Sequence, residues 1–124
     1  MESTICHFEI PADDLQAAGE FYSALFGWSV TPAGSDYMLI RTSEQPGALG
    51  GALFRRPAAG GELPRGVTLY AVVESVEEAA SKLEELGGTV LSPKAAVPGM
   101  GWTVVGQDPQ GNAIGLFQRD EGAA

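Results

Sequence analysis

One cysteine and one histidine, Cys6 and His7, are all that 124 residues contain of either type. A single thiol forbids an internal disulfide and removes any C-x-x-C metal or redox motif. A single imidazole rules out a multi-histidine metal centre within one chain. Basic residues are scarce as well: Lys+Arg number 7 against 16 Asp+Glu, a formal net charge of -9. Such a surface repels nucleic-acid phosphates and anionic lipid headgroups, so the expected partner is a small molecule, with no nucleic acid and no membrane. No apolar run approaches the ~20 residues that span a bilayer. The N-terminus lacks a charged, apolar, small-residue signal pattern, and with a lone thiol among apolar neighbours a cytoplasmic location is expected. Gly47-x-x-Gly50-Gly51 lacks the lysine of a phosphate loop, and no G-x-S-x-G or basic patch occurs.

What the chain has in quantity is glycine (17) and proline (8), which points to many turns and short strands. Its length fits a single domain, 1–124. Residues 5–10 alternate as a strand, with Cys6, Phe8 and Ile10 on one face and His7 and Glu9 on the other, and Pro11 ends it. A helix follows, with Asp13 as N-cap, Gln16 three residues on, and Gly27 as the stop. Ala18, Phe21, Tyr22, Leu25 and Phe26 form its apolar stripe. Short strands are expected at 28–31, 36–42 and 50–56, and 57–65 reads as a linker.

The same grammar then returns. Residues 66–73 read as a strand, and Ser75-x-x-Glu78 is a capping box. Val76, Ala79, Ala80, Leu83 and Leu86 make a stripe that Gly87-Gly88 ends. Strands follow at 89–96, 101–107 and 112–118, the last two joined by an Asp108-Pro109-Gln110-Gly111 turn. The Pro98–Gly101 turn reads either as a mobile lid or as an ordinary hairpin, and 119–124 as a frayed tail. The halves align at an offset of 61, which sets His7 on Thr68, Ala18 on Ala79 and Gly50 on Gly111. The fold expected is α+β: two tandem βαβββ modules (about 5–56 and 66–118) whose curled mixed sheets enclose a cavity.

Two stretches carry a resemblance: His7-Phe8-Glu9-Ile10-Pro11-Ala12-Asp13-Asp14-Leu15 and Glu20-Phe21-Tyr22-Ser23-Ala24-Leu25-Phe26-Gly27-Trp28. The second half adds Val76-Glu77-Glu78-Ala79, Leu86-Gly87-Gly88 and Asp108-Pro109-Gln110-Gly111-Asn112-Ala113-Ile114. Over residues 5–118 the chain resembles the vicinal oxygen chelate superfamily, also called the glyoxalase/bleomycin-resistance/dioxygenase superfamily. The resemblance implies the fold but not the chemistry, because members include lyases, epimerases, ring-cleaving dioxygenases, antibiotic-destroying thiol transferases and drug-binding proteins. It also implies a homodimer.

Enzymes of that superfamily hold a divalent metal with four side chains, one from the first and one from the last strand of each module. Carried over, the four positions are His7, Phe54, Thr68 and Gly115, and only His7 is a normal ligand. Glu9 is the nearest carboxylate that could assist. Three readings of His7 follow: a hydrogen-bonded pocket or core histidine, a ligand-contacting acid–base residue with Glu9, or a metal ligand. By alternation the cavity-facing set also takes in Tyr37, Arg41, Ala52, Phe54, Arg56, Thr68, Tyr70, Val72, Trp102, Val104, Ala113, Gly115 and Phe117. Of these, Tyr37, Phe54, Arg56, Thr68, Tyr70, Trp102, Gly115 and Phe117 are the candidate ligand-binding residues, Gly115 leaving space where the family has a carboxylate. The leading expectation is a small-molecule-binding protein with no metal, no other cofactor and no required catalysis. The alternatives are a metal-dependent lyase or isomerase of the glyoxalase type with a displaced ligand set, and a metal-free acid–base enzyme using His7 and Glu9.

Overall fold

The computed structural model describes residues 2–56 and 66–124; the linker expected at 57–65 lies outside them. The chain divides into two compact units, one taking 7–56 with 66–67, the other 2–6 with Thr68–Ala124.

The first unit holds the first βαβββ module: β1 (Ile5–Ala12, its first two residues grouping with the other unit), α1 (Leu15–Phe26), β2 (Ser29–Pro32), β3 (Tyr37–Arg41) and β4 (Gly51–Arg55). The strand order is β2-β3-β4-β1, with β1 parallel to β4 and the other neighbours antiparallel. β1 does not stop at Pro11, which pairs with Phe54 and ends one residue later at Ala12. Proline cannot donate to the ladder but keeps its carbonyl acceptor. The cap of α1 is Asp14 rather than Asp13, and its Oδ1 accepts from Ala17 N at 3.0 Å. Starting the helix one residue later turns Leu15 into the core beside Phe8, Ala12, Ile40 and Leu53. Full burial of a side chain such as Leu53 contributes about 1.5–3 kcal/mol. Gly27 ends the helix as expected, in the left-handed region at φ 74°, with its N–H donating to Ser23 O.

The apolar stripe of α1 is wider than the sheet covers. Leu15, Ala18, Gly19 and Tyr22 face β1–β4, where a Cβ on Gly19 would press on Val30 at 3.3 Å. Phe21, Leu25 and Phe26, expected in the same packed stripe, stay 57–58% exposed.

The second module comprises β5 (Thr68–Val72), α2 (Val76–Glu85), β6 (Thr89–Val90), β7 (Ala95–Val97), β8 (Gly101–Gln107) and β9 (Ala113–Arg119). The order is β5-β9-β8-β6, with β7 also on β8 and β5 parallel to β9. Ser75 caps α2 as expected, Oγ accepting from Glu78 N at 3.1 Å. The single strand expected over 89–96 is split in two. Leu91 N and Ser92 N both donate to Val105 O, at 2.8 and 3.1 Å, and two donors on one acceptor break the ladder as a bulge does. The 108–111 turn forms around Asp108, whose Oδ1 accepts from Gln110 N at 2.8 Å and Asn112 N at 2.9 Å. These backbone and Asn112 side-chain bonds hold its carboxyl below the usual range.

The tail is not frayed. Gly99 N donates to Ala123 O and Asp120 N to Met100 O, both at 2.9 Å, and Ala123 is buried. The turn read as a lid or a hairpin is therefore tied to the C-terminal segment. The repeat also needs a correction. The N-caps keep the offset of 61 (14 to 75), but Phe8 pairs with Gly51 whereas Leu69 pairs with Ile114. The last strands are thus offset by 63, so the counterpart of Phe54 is Phe117, not Gly115. No helix among the described residues is long and apolar enough to cross a membrane.

Candidate functional site

Alternation in β1 sends Phe8, Ile10 and Ala12 toward α1 and leaves His7 and Glu9 on the opposite, helix-distal face. Tyr37 of β3 pairs with Phe54 of β4, which in turn pairs with Pro11, and this puts the phenol on that same face. There Tyr37 Oη donates to Glu9 Oε2 at 2.7 Å. His7 Nε2 lies 3.3 Å from Tyr37 Oη and 3.4 Å from Glu9 Oε2, so the three groups form one cluster. Because the phenol proton goes to Glu9, the arrangement is best satisfied when Nε2 also carries a proton. The side chains of His7 and Glu9 are 30% and 18% exposed, leaving them within reach of a ligand. Burial first, then the hydrogen bond and charge of Glu9, push the Tyr37 phenol far above its ordinary ionisation range. Leu39, half exposed and paired with Ala52, shares the face, and sequence reading did not name it.

Arg56 is anchored by its backbone, N–H to Ala12 O at 2.8 Å. Its Nε lies 3.7 Å from Asp13 Oδ1, and that buried nitrogen makes no hydrogen bond. Its neighbour Arg55 donates to Asp36 Oδ1 at 2.9 Å.

In the second module Tyr70 pairs with Gly115, Val72 with Phe117, and Phe117 with Thr103, which sets Tyr70, Gly115 and Phe117 on one helix-distal face. Thr68 and Tyr70 are buried. The space expected at Gly115 is taken: a Cβ there would overlap the Tyr70 ring. Trp102 and Val104, expected on this face, are on the other. Their partners are Gln118 and Leu116, and both pack into the α2 cluster with Val76. Trp102 Nε1 donates to Asp120 Oδ2 at 2.9 Å, and Lys94 Nζ sits 4.4 Å above its ring. That bond, with the Gly122 N–H, holds the Asp120 carboxyl below its usual range. Thr103 and Val105 take the places that alternation gave to Trp102 and Val104. The signal for them was the hairpin turn: counting outward from the Gln107–Ala113 pair gives Val105 opposite Gly115.

Residues 7–117 match the glyoxalase-like domain. The chain belongs to the glyoxalase-like domain family. The resemblance to the vicinal oxygen chelate superfamily therefore stands. Relatives include the anthracycline biosynthesis proteins DnrV of Streptomyces peucetius and DauV of Streptomyces sp., each 28% identical over 90% of this chain and 46% of the relative. The chain thus spans about half the length of these curated relatives. Among solved structures, a Streptomyces coelicolor methylmalonyl-CoA epimerase superposes with a TM-score of 0.69 at 20% identity, covering 94% of this chain and 97% of that one. A superfamily member from Vibrio splendidus gives 0.67 at 16%, over 96% and 100%. Both likenesses concern the fold.

A divalent metal does not suit the donors of this glyoxalase-like chain. His7 and Glu9 are the imidazole and carboxylate of the candidate face, and among the described residues no three His, Cys, Asp or Glu side chains gather. A tetrahedral or octahedral ion needs at least three such donors, or it loses to water. At the other positions carried over from the superfamily stand Phe54, Thr68 and Phe117, none of which brings an imidazole or a carboxylate.

Proposed function

We propose that this glyoxalase-like protein binds a small organic molecule without a metal, using the helix-distal face on which His7, Glu9, Tyr37 and Phe54 meet. One observation carries the reading: the polar groups of that face form a phenol–carboxylate–imidazole cluster beside aromatic and aliphatic side chains rather than a ligand set. Ring faces suit planar or cationic ligands, and a few fixed polar groups give orientation. Relatives named for anthracycline biosynthesis are in keeping with an organic ligand. Tyr70, Phe117 and Thr68 would serve the same role on the second module's face. The charge of -9 favours neutral or cationic compounds over nucleic acid or membrane, and the single thiol fits a cytoplasmic setting.

A thermal-shift screen over small organic molecules tests this. A ligand at 100 times its Kd adds about 2.7 kcal/mol of stability. His7→Ala and Phe54→Ala should each abolish the shift, and a shift that survives both refutes the reading.

A second reading is favoured by the closeness of the three groups, since a phenol, a carboxylate and an imidazole within hydrogen-bond reach can move a proton. Turnover by metal-free protein, lost in His7→Ala but with ligand binding kept, would select this enzyme over the binding protein.

A further inference from the structure

The apolar stripe of α2 outruns the sheet that covers it. At its start Val76 closes on Val104 and Leu116. At its far end α2 stops at Glu85, Gly87 turns the chain at φ 96°, and Leu86 is left 70% exposed. The β8–β9 turn stands beside that end, with Pro109 Cγ 3.6 Å from where a Cβ on Gly87 would sit. Between helix and turn lies a groove of about 320 Å³, walled by Ala79, Leu83, Leu86, Pro109 and Ile114. Its charged members are Lys82 and Asp108. The groove belongs to the second module and shares no residue with the face where His7, Glu9 and Tyr37 meet.

Two glycines set its floor. A Cβ on Gly88 or on Gly106 would come within 2.7 Å of the Leu83 side chain. Without those atoms Leu83 sinks onto the sheet, and Leu86 and Pro109 rise beside it. The Pro109 wall is fixed, because Asp108 N donates to Asn112 O at 2.8 Å and Asp108 O accepts from Gly111 N at 3.0 Å. A preformed apolar groove of this size suits a small molecule, since little ordering remains to be done on binding.

Charge selects the ligand. Glu78 and Glu85 lie one turn before and after Lys82 on the same side of α2. With Asp108, three acids stand against one base among the described residues around the groove. The C-terminal end of α2 adds partial negative charge, and the whole chain, at -9, draws cations toward it. We propose that this groove is a second ligand site, taking a small organic cation. Its aliphatic body would lie between Leu83, Leu86, Pro109 and Ile114, with its ammonium toward Asp108 and the end of α2. The proposal does not depend on the helix-distal site.

Amide NMR spectra of the isotope-labelled full chain, titrated with hexylammonium, hexanol and hexanoate, compare one body carrying three charges. Hexylammonium should shift the amides of Leu86, Gly88, Gly111 and Ile114 and bind several-fold more tightly than hexanol, with hexanoate weakest. Leu86→Ala, at an exposed position, should weaken the amine about tenfold with unchanged circular dichroism. Glu85→Lys should weaken the amine and strengthen hexanoate. The amine shifts should persist in His7→Ala, which separates this site from the helix-distal one. Equal binding of the three compounds overturns the proposal, as does tighter binding of hexanoate through Lys82. So do amine shifts that gather on the helix-distal residues instead, or amine binding that Leu86→Ala leaves unchanged.

Discussion

Tyr37 donates to a carboxylate 2.7 Å away and stands beside the only imidazole in the chain. Its raised ionisation has a definite sign. The neutral phenol is favoured in the folded state, so the stability it contributes is complete below its ordinary value of 10 and is lost as pH rises above it. In an alkaline titration followed by phenolate absorbance, one tyrosine should therefore ionise only as the chain unfolds, and Tyr37→Phe should remove that late component. The same substitution takes a hydrogen bond from a charged, mostly buried group, which costs about 1.5–3 kcal/mol and is measurable by urea unfolding. Gly115 is a close-approach glycine rather than an open space, since the Tyr70 ring occupies the position of its missing side chain. Gly115→Ala should destabilise the fold by about 1–3 kcal/mol, the usual cost of overpacking. A neutral result in urea unfolding would show that the ring yields.

Helix caps separate what sequence spacing reads from what it cannot. Ser75 was legible because one cap-competent residue precedes the second helix with Glu78 three residues on, and the bond to Glu78 N is there. Asp13 and Asp14 both fit the first helix, and the choice fell to Leu15, which needed to reach the core. Asp14→Ala should cost about 1 kcal/mol in urea, and Asp13→Ala about 0.5 kcal/mol or less, since Asp13 makes only an exposed ion pair. Face assignment holds in β1 and β4 and fails in β8, where Trp102 and Val104 turn to the α2 cluster and Thr103 and Val105 take the opposite face. The 108–111 turn carries its own pH dependence. Asp108 is held below its ordinary 3.8, so its contribution is complete above that value and is lost as pH falls through the lowered one. Melting temperatures between neutral and acid pH should fall less steeply for Asp108→Asn than for the wild type.

At the scale of the whole chain, the repeat and the family were legible because caps, turns and alternation recur in both halves. What the rings do was not legible. Alternation tells which face a side chain takes, not whether Tyr70 fills the gap at Gly115 or whether Tyr37 reaches Glu9, because both depend on tertiary packing. The two-residue slip between the last strands moved Phe117, not Gly115, opposite the role of Phe54. With that correction the candidate positions still offer one normal donor, His7, because a phenylalanine side chain donates no more than the glycine it replaces. The most direct measurement is the metal content of tag-free protein equilibrated with Zn, Ni, Mn and Fe and then dialysed. The account expects no stoichiometric metal in wild type or His7→Ala, whereas one equivalent per chain that disappears with His7→Ala would contradict it.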